Sequence, residues 1–138
     1  MTHPKIKASD GARYTRILSV GAARGDLTVP NADLIGPIDS SDEWIQQRTG
    51  IITRKRASQD ILAVDLATDA SLEAIKRSGI KRSGINAADI DLVIVATISN
   101  TMPTPSMATL LAERVKASPA AAYDISAACA GYAYAIAQ

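Results

Sequence analysis

An apolar run at residues 91–97, Asp-Leu-Val-Ile-Val-Ala-Thr, constrains the fold more than any other part of the chain. A nearly continuous apolar run is typical of a central parallel strand that is covered on both faces. A pattern for a short amphipathic helix follows it, with Met107, Leu110, Leu111 and Val115 as the apolar residues, and a second apolar strand pattern then leads to Cys129. Because strands and helices alternate, the sequence predicts an α/β fold with right-handed crossovers.

The first half of the chain contains further secondary-structure signals. They predict a strand over residues 14–23, a short helical turn that starts at Asn31 and ends at 36–37, a helix at 42–49, an edge strand at 52–56 and a helix at 61–77. The 14–23 strand would open the sheet, and the basic residues of 52–56 favour a charged sheet edge. Asp65, Asp69 and Glu73 recur at a spacing of four in the last helix, and we expect them to form a solvated face.

The composition is that of one small globular domain. The 138 residues are 47% hydrophobic and 21% charged, and a chain of this size buries roughly two thirds of its unfolded surface on folding. The net charge of +1 gives no electrostatic reason to bind nucleic acid or an anionic membrane. The single cysteine excludes an internal disulfide framework and favours a reducing, cytoplasmic location. No apolar run approaches the length of a transmembrane helix, and the first residues lack the apolar core of a signal peptide.

Residues 1–13 differ from the rest of the chain. They contain Pro4, Gly11 and several charged side chains but little apolar material, so we expect a flexible tail followed by one domain at residues 14–138. The only histidine, His3, belongs to this tail, and we expect it to be solvated rather than to act as a general base.

Cys129 lies where the second apolar strand changes into a helix of alanines and tyrosines. Unpaired N–H groups and the helix dipole at such a position favour a thiolate, which makes Cys129 a candidate nucleophile. Small neighbouring residues would let a substrate carbonyl approach the sulfur and the backbone donors beside it. These neighbours are Ala127, Ala128, Ala130 and Gly131. From the residues alone, an inert cysteine buried in tight strand–helix packing is the alternative.

The helix predicted at residues 42–49 carries a second candidate site. Ser40 or Ser41 can cap this helix, and a glycine can end it. Trp44 and Arg48 are four residues apart and share a face, so an aromatic ring and a guanidinium could stack an adenine and bind its phosphates. A cation–π pair on an ordinary surface helix is the alternative, and the spacing alone favours it.

Two longer stretches of the sequence carry more information than these local patterns. The run Asp-Ile-Ser-Ala-Ala-Cys-Ala-Gly-Tyr-Ala-Tyr-Ala-Ile around Cys129 resembles the nucleophile segment of β-ketoacyl-acyl-carrier-protein synthase III, a condensing enzyme of the thiolase-like superfamily. The run Ser-Ser-Asp-Glu-Trp-Ile-Gln-Gln-Arg-Thr-Gly-Ile, about eighty residues earlier, resembles an N-terminal signature of the same family. The resemblance extends from about residue 14 to the end of the chain. It implies a thiolase-like layered fold of which this chain holds the N-terminal half only.

The resemblance also implies roles for individual residues. Cys129 matches the cysteine that is acylated by an acyl-CoA primer and then condenses with malonyl-acyl-carrier protein, the reaction that starts bacterial fatty-acid synthesis. Trp44 matches the residue that stacks on the CoA adenine, and Arg48 matches the one that contacts the nucleotide. Ser40 and Thr49 match further CoA-binding positions.

The resemblance further implies how the full-length parent assembles. Thr104 matches a residue that reaches across a homodimer interface to the floor of the partner subunit's primer pocket, and its small side chain implies room for primers larger than acetyl. Acyl-CoA and malonyl-acyl-carrier protein are the implied partners, with no nucleic acid and no membrane. No metal and no cofactor are implied, since the CoA thioester is a substrate.

The chain departs from the family pattern in two ways. Residues 75–79, Ile-Lys-Arg-Ser-Gly, are repeated at 80–84, and an inserted copy of this size costs about 1 kcal/mol or less in loop-closure entropy. The histidine and asparagine that assist condensation in the family belong to its second half, and the chain stops at Gln138 within a predicted helix. We therefore expect an N-terminal piece of a longer protein or the product of an interrupted gene, and no condensation by this chain alone.

Other functions compete with this interpretation. A related thiolase-fold enzyme, such as a hydroxymethylglutaryl-CoA synthase or a secondary-metabolite ketosynthase, would differ in the missing half and in its second substrate. A non-catalytic remnant would at most bind CoA or a partner subunit.

Overall fold

The structure is a computed structural model of the 138-residue chain. It describes residues 15–36, 39–78, 86–118 and 120–138. The expected tail at residues 1–13, the domain boundary at residue 14 and the second copy of the repeated pentapeptide lie outside these ranges.

Strands and helices alternate along most of the described chain, which confirms the predicted α/β class. The strands are β1 (Leu27–Pro30), β2 (Thr53–Arg56), β3 (Leu92–Ala96) and β4 (Ala121–Ile125). The helices are α1 (Ala32–Ile35), α2 (Asp42–Thr49), α3 (Ala63–Arg77), α4 (Met107–Arg114) and α5 (Gly131–Ile136), with 3₁₀ turns at Ala87–Asp89 and Ala128–Ala130. No helix in the described ranges has the length and apolar character that crossing a bilayer requires.

The two apolar runs form a parallel strand pair, as their sequence predicts. β3 and β4 pair in register from Leu92 opposite Ala121 to Ala96 opposite Ile125, and α4 lies between them in the chain. The expected cover on both faces is incomplete, because the three central residues of β3 are only half-buried and Leu92 is 40% exposed. Within the described residues β4 is the only strand bonded to β3, so β3 is an edge strand there and not a central one.

The core lies between α4 and this strand pair. Leu111 and Ala112 of α4 are buried in one cluster with Val115 and Ala117, which follow the helix. Partly buried side chains of α3, β3 and β4 pack around the cluster, among them Ala67, Ile75, Val93, Val95 and Ala122. The predicted amphipathic helix is confirmed for Met107, Leu111 and Val115, which are buried, whereas Leu110 is 36% exposed. The apolar area that α4 buries, at about 25 cal/mol per Å², stabilises the helix on the sheet.

The strand predicted over residues 14–23 is not formed. Its described part has no regular structure and lies along α3 instead. Ser19 Oγ donates a hydrogen bond to Ala74 O (2.6 Å), and Ala22 N donates to Glu73 Oε2 (2.7 Å). Bonds to a helix thus take the place of strand pairing in this segment.

Gly21 lies at the closest point between this segment and α3. A Cβ at position 21 would lie 2.0 Å from Ala70 O, so only a residue without a side chain fits there. The first strand is instead β1, which pairs antiparallel with β2. β2 confirms the strand predicted at residues 52–56, with a start one residue later.

Only part of the acidic stripe on α3 faces solvent. Asp65 forms an ion pair with Arg114 of α4 at 2.5 Å, and Glu73 pairs with Arg77 at 2.6 Å in addition to its bond with the preceding segment. Asp69 is exposed. The expectation of a solvated face is wrong for Asp65 and Glu73, because both connect α3 to other parts of the chain.

Candidate functional site

Cys129 lies in the 3₁₀ turn Ala128–Ala130, between the end of β4 and the start of α5. The predicted strand-to-helix position is confirmed, with this turn as an additional link before the helix. The thiol is exposed within the described structure, which disagrees with the alternative of a buried cysteine. A small reagent or substrate can therefore reach the sulfur.

The backbone next to Cys129 is strained. Ala128 has a φ of 44°, in the left-handed region, which costs a residue with a side chain about 1–2 kcal/mol. Strained residues of this kind cluster at functional sites. The N–H of Ala130 donates to Ala127 O (3.0 Å), and the N–H of Gly131 donates to Ala128 O. These two bonds close the turn on both sides of Cys129.

Close packing behind the turn accounts for part of the small-residue pattern around Cys129. Gly131 is buried, and a Cβ there would lie 3.1 Å from the Cβ of Ala96 in β3, closer than ordinary van der Waals contact. α5 therefore starts directly against β3, and a larger residue at position 131 would push the helix away from the strand.

α2 begins and ends where its sequence predicts. Ser41, rather than Ser40, is the N-cap, and its Oγ accepts a hydrogen bond from Trp44 N at 3.1 Å. Gly50 ends the helix with a φ of 69°, a left-handed conformation that glycine adopts without a Cβ clash. Acidic residues occupy the first turn and a basic residue the last, where their charges suit the helix dipole.

Trp44 and Arg48 form an exposed pair on α2. Arg48 Cζ lies 5.7 Å from the centroid of the Trp44 ring, within cation–π range. Trp44 is 54% exposed, so its ring has accessible surface for a stacking partner. A nucleotide site and a surface cation–π pair share this geometry.

The two other residues matched to CoA binding lie at the ends of α2. Thr49 Oγ1 donates to Ile45 O (2.7 Å) and accepts from Ile51 N (3.1 Å), so its hydroxyl closes the end of the helix. Ser40 Oγ is shielded from solvent and has no hydrogen-bond partner in the described part of the chain. Of the two hydroxyls, that of Ser40 has the unused bonding capacity.

Asn31 holds α2 in place, a role that the sequence did not suggest. Only 2% of Asn31 is exposed, and its Nδ2 donates to Asp42 Oδ1 (2.5 Å) and to Ile51 O (2.8 Å). Arg54 Nη2 donates in turn to Asn31 Oδ1. Asn31 precedes α1 as predicted but makes no capping bond there, and it links both ends of α2 to β2 instead.

The same network favours the charged form of Asp42. The side-chain hydrogen bond from Gln46 (2.9 Å), followed by the bond from Asn31, lowers the pKa of Asp42 below its ordinary value of 3.8. The carboxylate therefore stays ionised at neutral pH, in the first turn of α2 where the dipole favours a negative charge.

Residues 97–106 form the loop that connects β3 to α4, and they include Thr104, which is exposed. The loop and the N-terminal end of α3 enclose a cavity of about 410 Å³. Its lining is mainly apolar and includes Leu62, Val64, Met102, Pro105, Met107 and Leu110. Thr104 is not among the lining residues.

The predicted site residues therefore fall on three separate parts of the fold. Trp44, Arg48 and Thr49 lie on α2 with Ser40 just before it, Thr104 lies in the loop after β3, and Cys129 lies in the turn before α5. No cluster of three or more His, Cys, Asp or Glu residues that could hold a metal ion occurs in the ranges that the structure describes.

Comparisons with known proteins agree with the resemblance. The chain is 48% identical over 133 residues to a β-ketoacyl-[acyl-carrier-protein] synthase III of Kocuria rhizophila, covering 96% of this chain and 36% of that protein. The priming β-ketosynthase of the R1128 polyketide pathway matches with a TM-score of 0.81 and 35% identity, over 96% of this chain and 38% of that one. The 3-oxoacyl-[acyl-carrier-protein] synthase III of Aquifex aeolicus matches with a TM-score of 0.78 and 35% identity, over 90% and 38%. No protein-family model matches the chain.

The fold shared with these structures is that of the thiolase-like condensing enzymes, as the two strings around Trp44 and Cys129 predict. Within this class, the chain is similar to β-ketoacyl-[acyl-carrier-protein] synthase III proteins, to which it is 48% identical in the Kocuria case and 35% in the Aquifex case. It spans a little over a third of the length of these relatives.

Proposed function

We propose that this chain supplies the nucleophile and part of the CoA site of a β-ketoacyl-[acyl-carrier-protein] synthase III, an acyltransferase of fatty-acid biosynthesis. The whole enzyme would join an acyl-CoA primer to malonyl-acyl-carrier protein by a decarboxylative Claisen condensation. The exposed thiol of Cys129, beside the strained Ala128, is the observation that carries the proposal.

Cys129 would act first as an acyl acceptor. Its thiolate attacks the thioester carbonyl, the bond from the acyl carbon to the CoA sulfur breaks, and CoA leaves while the acyl group stays on Sγ. Negative charge develops on the carbonyl oxygen in the tetrahedral intermediate, and a backbone N–H close to the sulfur stabilises it. The N–H of Cys129, in the turn between β4 and α5, is the donor that we propose for this step.

Condensation requires groups beyond those described. Loss of CO₂ from malonyl-acyl-carrier protein leaves an enolate, whose carbon attacks the acyl carbonyl; the bond to Sγ then breaks and the thiolate returns. Both the enolate and the oxyanion need a fixed donor. The resemblance implies that a histidine and an asparagine from the second half of the fold supply these donors, and the chain covers 36% of its Kocuria relative. We therefore propose that this chain alone does not condense acyl groups.

α2 would hold the nucleotide part of acyl-CoA. The exposed ring of Trp44 offers a stacking face for adenine, and the guanidinium of Arg48 beside it offers a charge to a phosphate. Ser40 has a hydroxyl without a partner in the described part of the chain, which would have to turn out of its shielded position to add a hydrogen bond to CoA. Thr49 would have to give up a bond that it makes at the helix end.

We also propose how the parent enzyme assembles, where in the cell it acts and what it binds. Thr104 would reach across a homodimer interface to the floor of the partner subunit's primer pocket, where its small side chain leaves room for primers larger than acetyl. The enzyme would be cytoplasmic and would bind neither nucleic acid nor membrane. It would need no metal and no cofactor besides its CoA thioester substrate.

Peptide mass spectrometry of the acylated chain tests the nucleophile. After incubation with acetyl-CoA or a branched acyl-CoA, the label is expected on the peptide that contains Cys129 and is expected to be absent from Cys129→Ala. Titration with a small disulfide reagent measures, in the same sample, how much Cys129 is reduced and accessible. Label on another residue, or no label on a fully titratable Cys129, would refute the assignment.

A priming ketosynthase of a polyketide pathway is the second candidate. The similarity to the R1128 priming β-ketosynthase, with a TM-score of 0.81 over 96% of this chain, supports it. Both enzymes would use Cys129 in the same way but would take the malonyl unit from different carrier proteins. Turnover of the full-length parent with a fatty-acid carrier and with a polyketide carrier separates the two.

A further inference from the structure

The loop of residues 97–106 is closed at its base by two consecutive residues of β4. At one end, Thr97 N donates a hydrogen bond to Ile125 O at 3.1 Å, which continues the β3–β4 ladder. At the other end, the first residues of α4 are bonded to Asp124, the residue before Ile125. Both ends of the loop are thus attached to one short stretch of β4.

The carboxylate of Asp124 makes three hydrogen bonds to the loop and its helix. Oδ2 accepts from Met107 N (2.8 Å) and from Asn100 Nδ2 (3.1 Å), and Oδ1 accepts from Ala108 N (2.8 Å). Met107 and Ala108 are buried, so water cannot easily replace these bonds. Because all three partners are donors, the site requires an acceptor on both oxygens.

The stretch of β4 that holds the loop also leads to the nucleophile, since Cys129 follows Ile125 by four residues. The loop carries Thr104, and it forms one wall of the cavity that α3 and α4 complete. A shift of the loop relative to β4 therefore moves this cavity wall relative to the sulfur of the same chain, and it also moves Thr104, which the proposed function places in the partner subunit's primer pocket.

We propose that Asp124 is a positioning residue that sets which acyl primers Cys129 accepts, because its carboxylate holds the loop of residues 97–106 against the strand that leads to Cys129. This inference rests on the proposed function, since a primer is defined only for an acyl-transfer site. Asp124 touches neither substrate nor sulfur, and its effect is on the shape of the space that the primer enters.

Two isosteric substitutions disturb these bonds, and a third serves as a control. Asp124→Asn keeps the side-chain volume but turns an NH₂ group toward a backbone N–H. Asn100→Asp leaves Asp124 intact and places a second carboxylate against it. Asp89→Asn is the matched control, because Asp89 Oδ2 also accepts from a backbone N–H, that of Asn86 at 2.5 Å, in a turn outside the loop.

The experiment measures acylation of Cys129 in the whole chain by acyl-CoAs of increasing length, together with hydrogen exchange of the peptides that span residues 97–110. In Asp124→Asn and Asn100→Asp we expect faster exchange in these peptides and a change of about tenfold in the ratio of long-primer to short-primer acylation, the scale of one methylene in an apolar pocket. Asp89→Asn is expected to change neither quantity.

Some results would overturn the inference. An unchanged ratio in both loop variants, or rates reduced by the same factor for every primer, would show that Asp124 serves the fold alone. If circular dichroism shows that Asp124→Asn does not fold, the inference is tested with Asn100→Asp instead, by hydrogen exchange and by the ratio of long-primer to short-primer acylation.

A CoA-independent reagent separates this inference from the proposed function. Methyl and decyl methanethiosulfonate transfer their alkylthio groups to an exposed thiol and release methanesulfinate. If acyl-CoA labels no protein but the decyl-to-methyl ratio at Cys129 changes about tenfold in the loop variants, the proposed function fails and the loop-holding role of Asp124 stands. An unchanged reagent ratio overturns that role as well.

Discussion

Replacing Asn31 with alanine should loosen α2 from β2. The Asn31 side chain makes three hydrogen bonds, two donated to Asp42 and Ile51 and one accepted from Arg54. Alanine makes none of them, so a carboxylate, a carbonyl and a guanidinium lose their common partner. No other side chain in the described ranges bonds to both Asp42 and Ile51.

The size of the effect follows from the burial of the groups involved. Removing a buried, fully bonded amide costs about 1 kcal/mol for each lost bond, and more where a group left behind stays dry. Asp42 and Arg54 are only half-buried and can bind water once released. We therefore expect Asn31→Ala to lower the free energy of local opening of α2 by about 2–3 kcal/mol, which corresponds to about 30- to 150-fold faster hydrogen exchange at 1.36 kcal/mol per factor of ten.

The exchange of two amides measures this opening directly. Ile45 N donates to Ser41 O (3.0 Å) and Gly50 N donates to Gln46 O (2.8 Å), so they report on the two ends of α2. Gln46→Ala is the matched control, because it removes the other bond to Asp42 Oδ1 (2.9 Å) at an exposed site. We expect at most about threefold faster exchange there. Equal, small effects of the two substitutions would show that the Asn31 network does not hold the helix.

Three other predictions follow from the described contacts. Trp44→Ala is expected to weaken acyl-CoA binding by roughly 1–3 kcal/mol, by analogy with base–aromatic stacking, and an unchanged dissociation constant in calorimetry would count against stacking. The hydrogen bond from Arg114 lowers the pKa of Asp65 below 3.8, so the stabilisation by Asp65 is present above pH 3.8 and is lost as the pH falls through the lower pKa of the folded state. Asp65→Asn should therefore lower the urea midpoint at neutral pH, and the difference from the unmodified chain should disappear once the pH falls below the pKa of the folded-state carboxyl group. The purified chain is expected to release no CO₂ from malonyl-acyl-carrier protein, and to self-associate through the exposed Tyr132, Tyr134 and Ile136 of α5. Turnover that is lost in Cys129→Ala, or a monomeric elution profile, would contradict the corresponding half of this last prediction.

Helices and strands could be predicted closely from the sequence where their ends or apolar faces are determined by residues within or next to them. Ser41 and Gly50 set the two ends of α2 through bonds that span only a few residues. The apolar runs of β3 and β4, with the amphipathic α4 between them, likewise determine a parallel pair. In these segments the local preference and the final packing agree.

The sequence-based predictions are wrong where contacts with residues far away in the chain determine the structure. The segment before β1 has strand character, but Ala22 is bonded to Glu73, 51 residues away, and no strand forms. The same bond removes Glu73 from the solvated face that its spacing suggested. Spacing within one helix carries no information about such a contact.

In the candidate site, too, residues with a local sequence signal could be predicted and residues that act through distant contacts could not. Cys129 and the pair on α2 stand out from local patterns and from the strings around them, and their roles in catalysis and CoA binding stay predictions. The roles of Asn31 in holding α2 and of Asp124 in holding the loop were not predicted, because Asn31 reaches Asp42 across 11 residues and Asp124 reaches Met107 across 17. An asparagine or aspartate in such a position has no sequence pattern of its own.

The close approach of Gly21 to α3 has a genetic consequence. A Cβ there would lie 2.0 Å from Ala70 O and 2.6 Å from Ala74 N, so no other amino acid fits unless the helix moves. Every glycine codon begins with two guanines, and a change of either base inserts a side chain or stops translation. Codon 21 therefore tolerates only silent changes in its third base, whereas at Gly36 nothing lies within 4 Å of an added Cβ and missense changes meet open space.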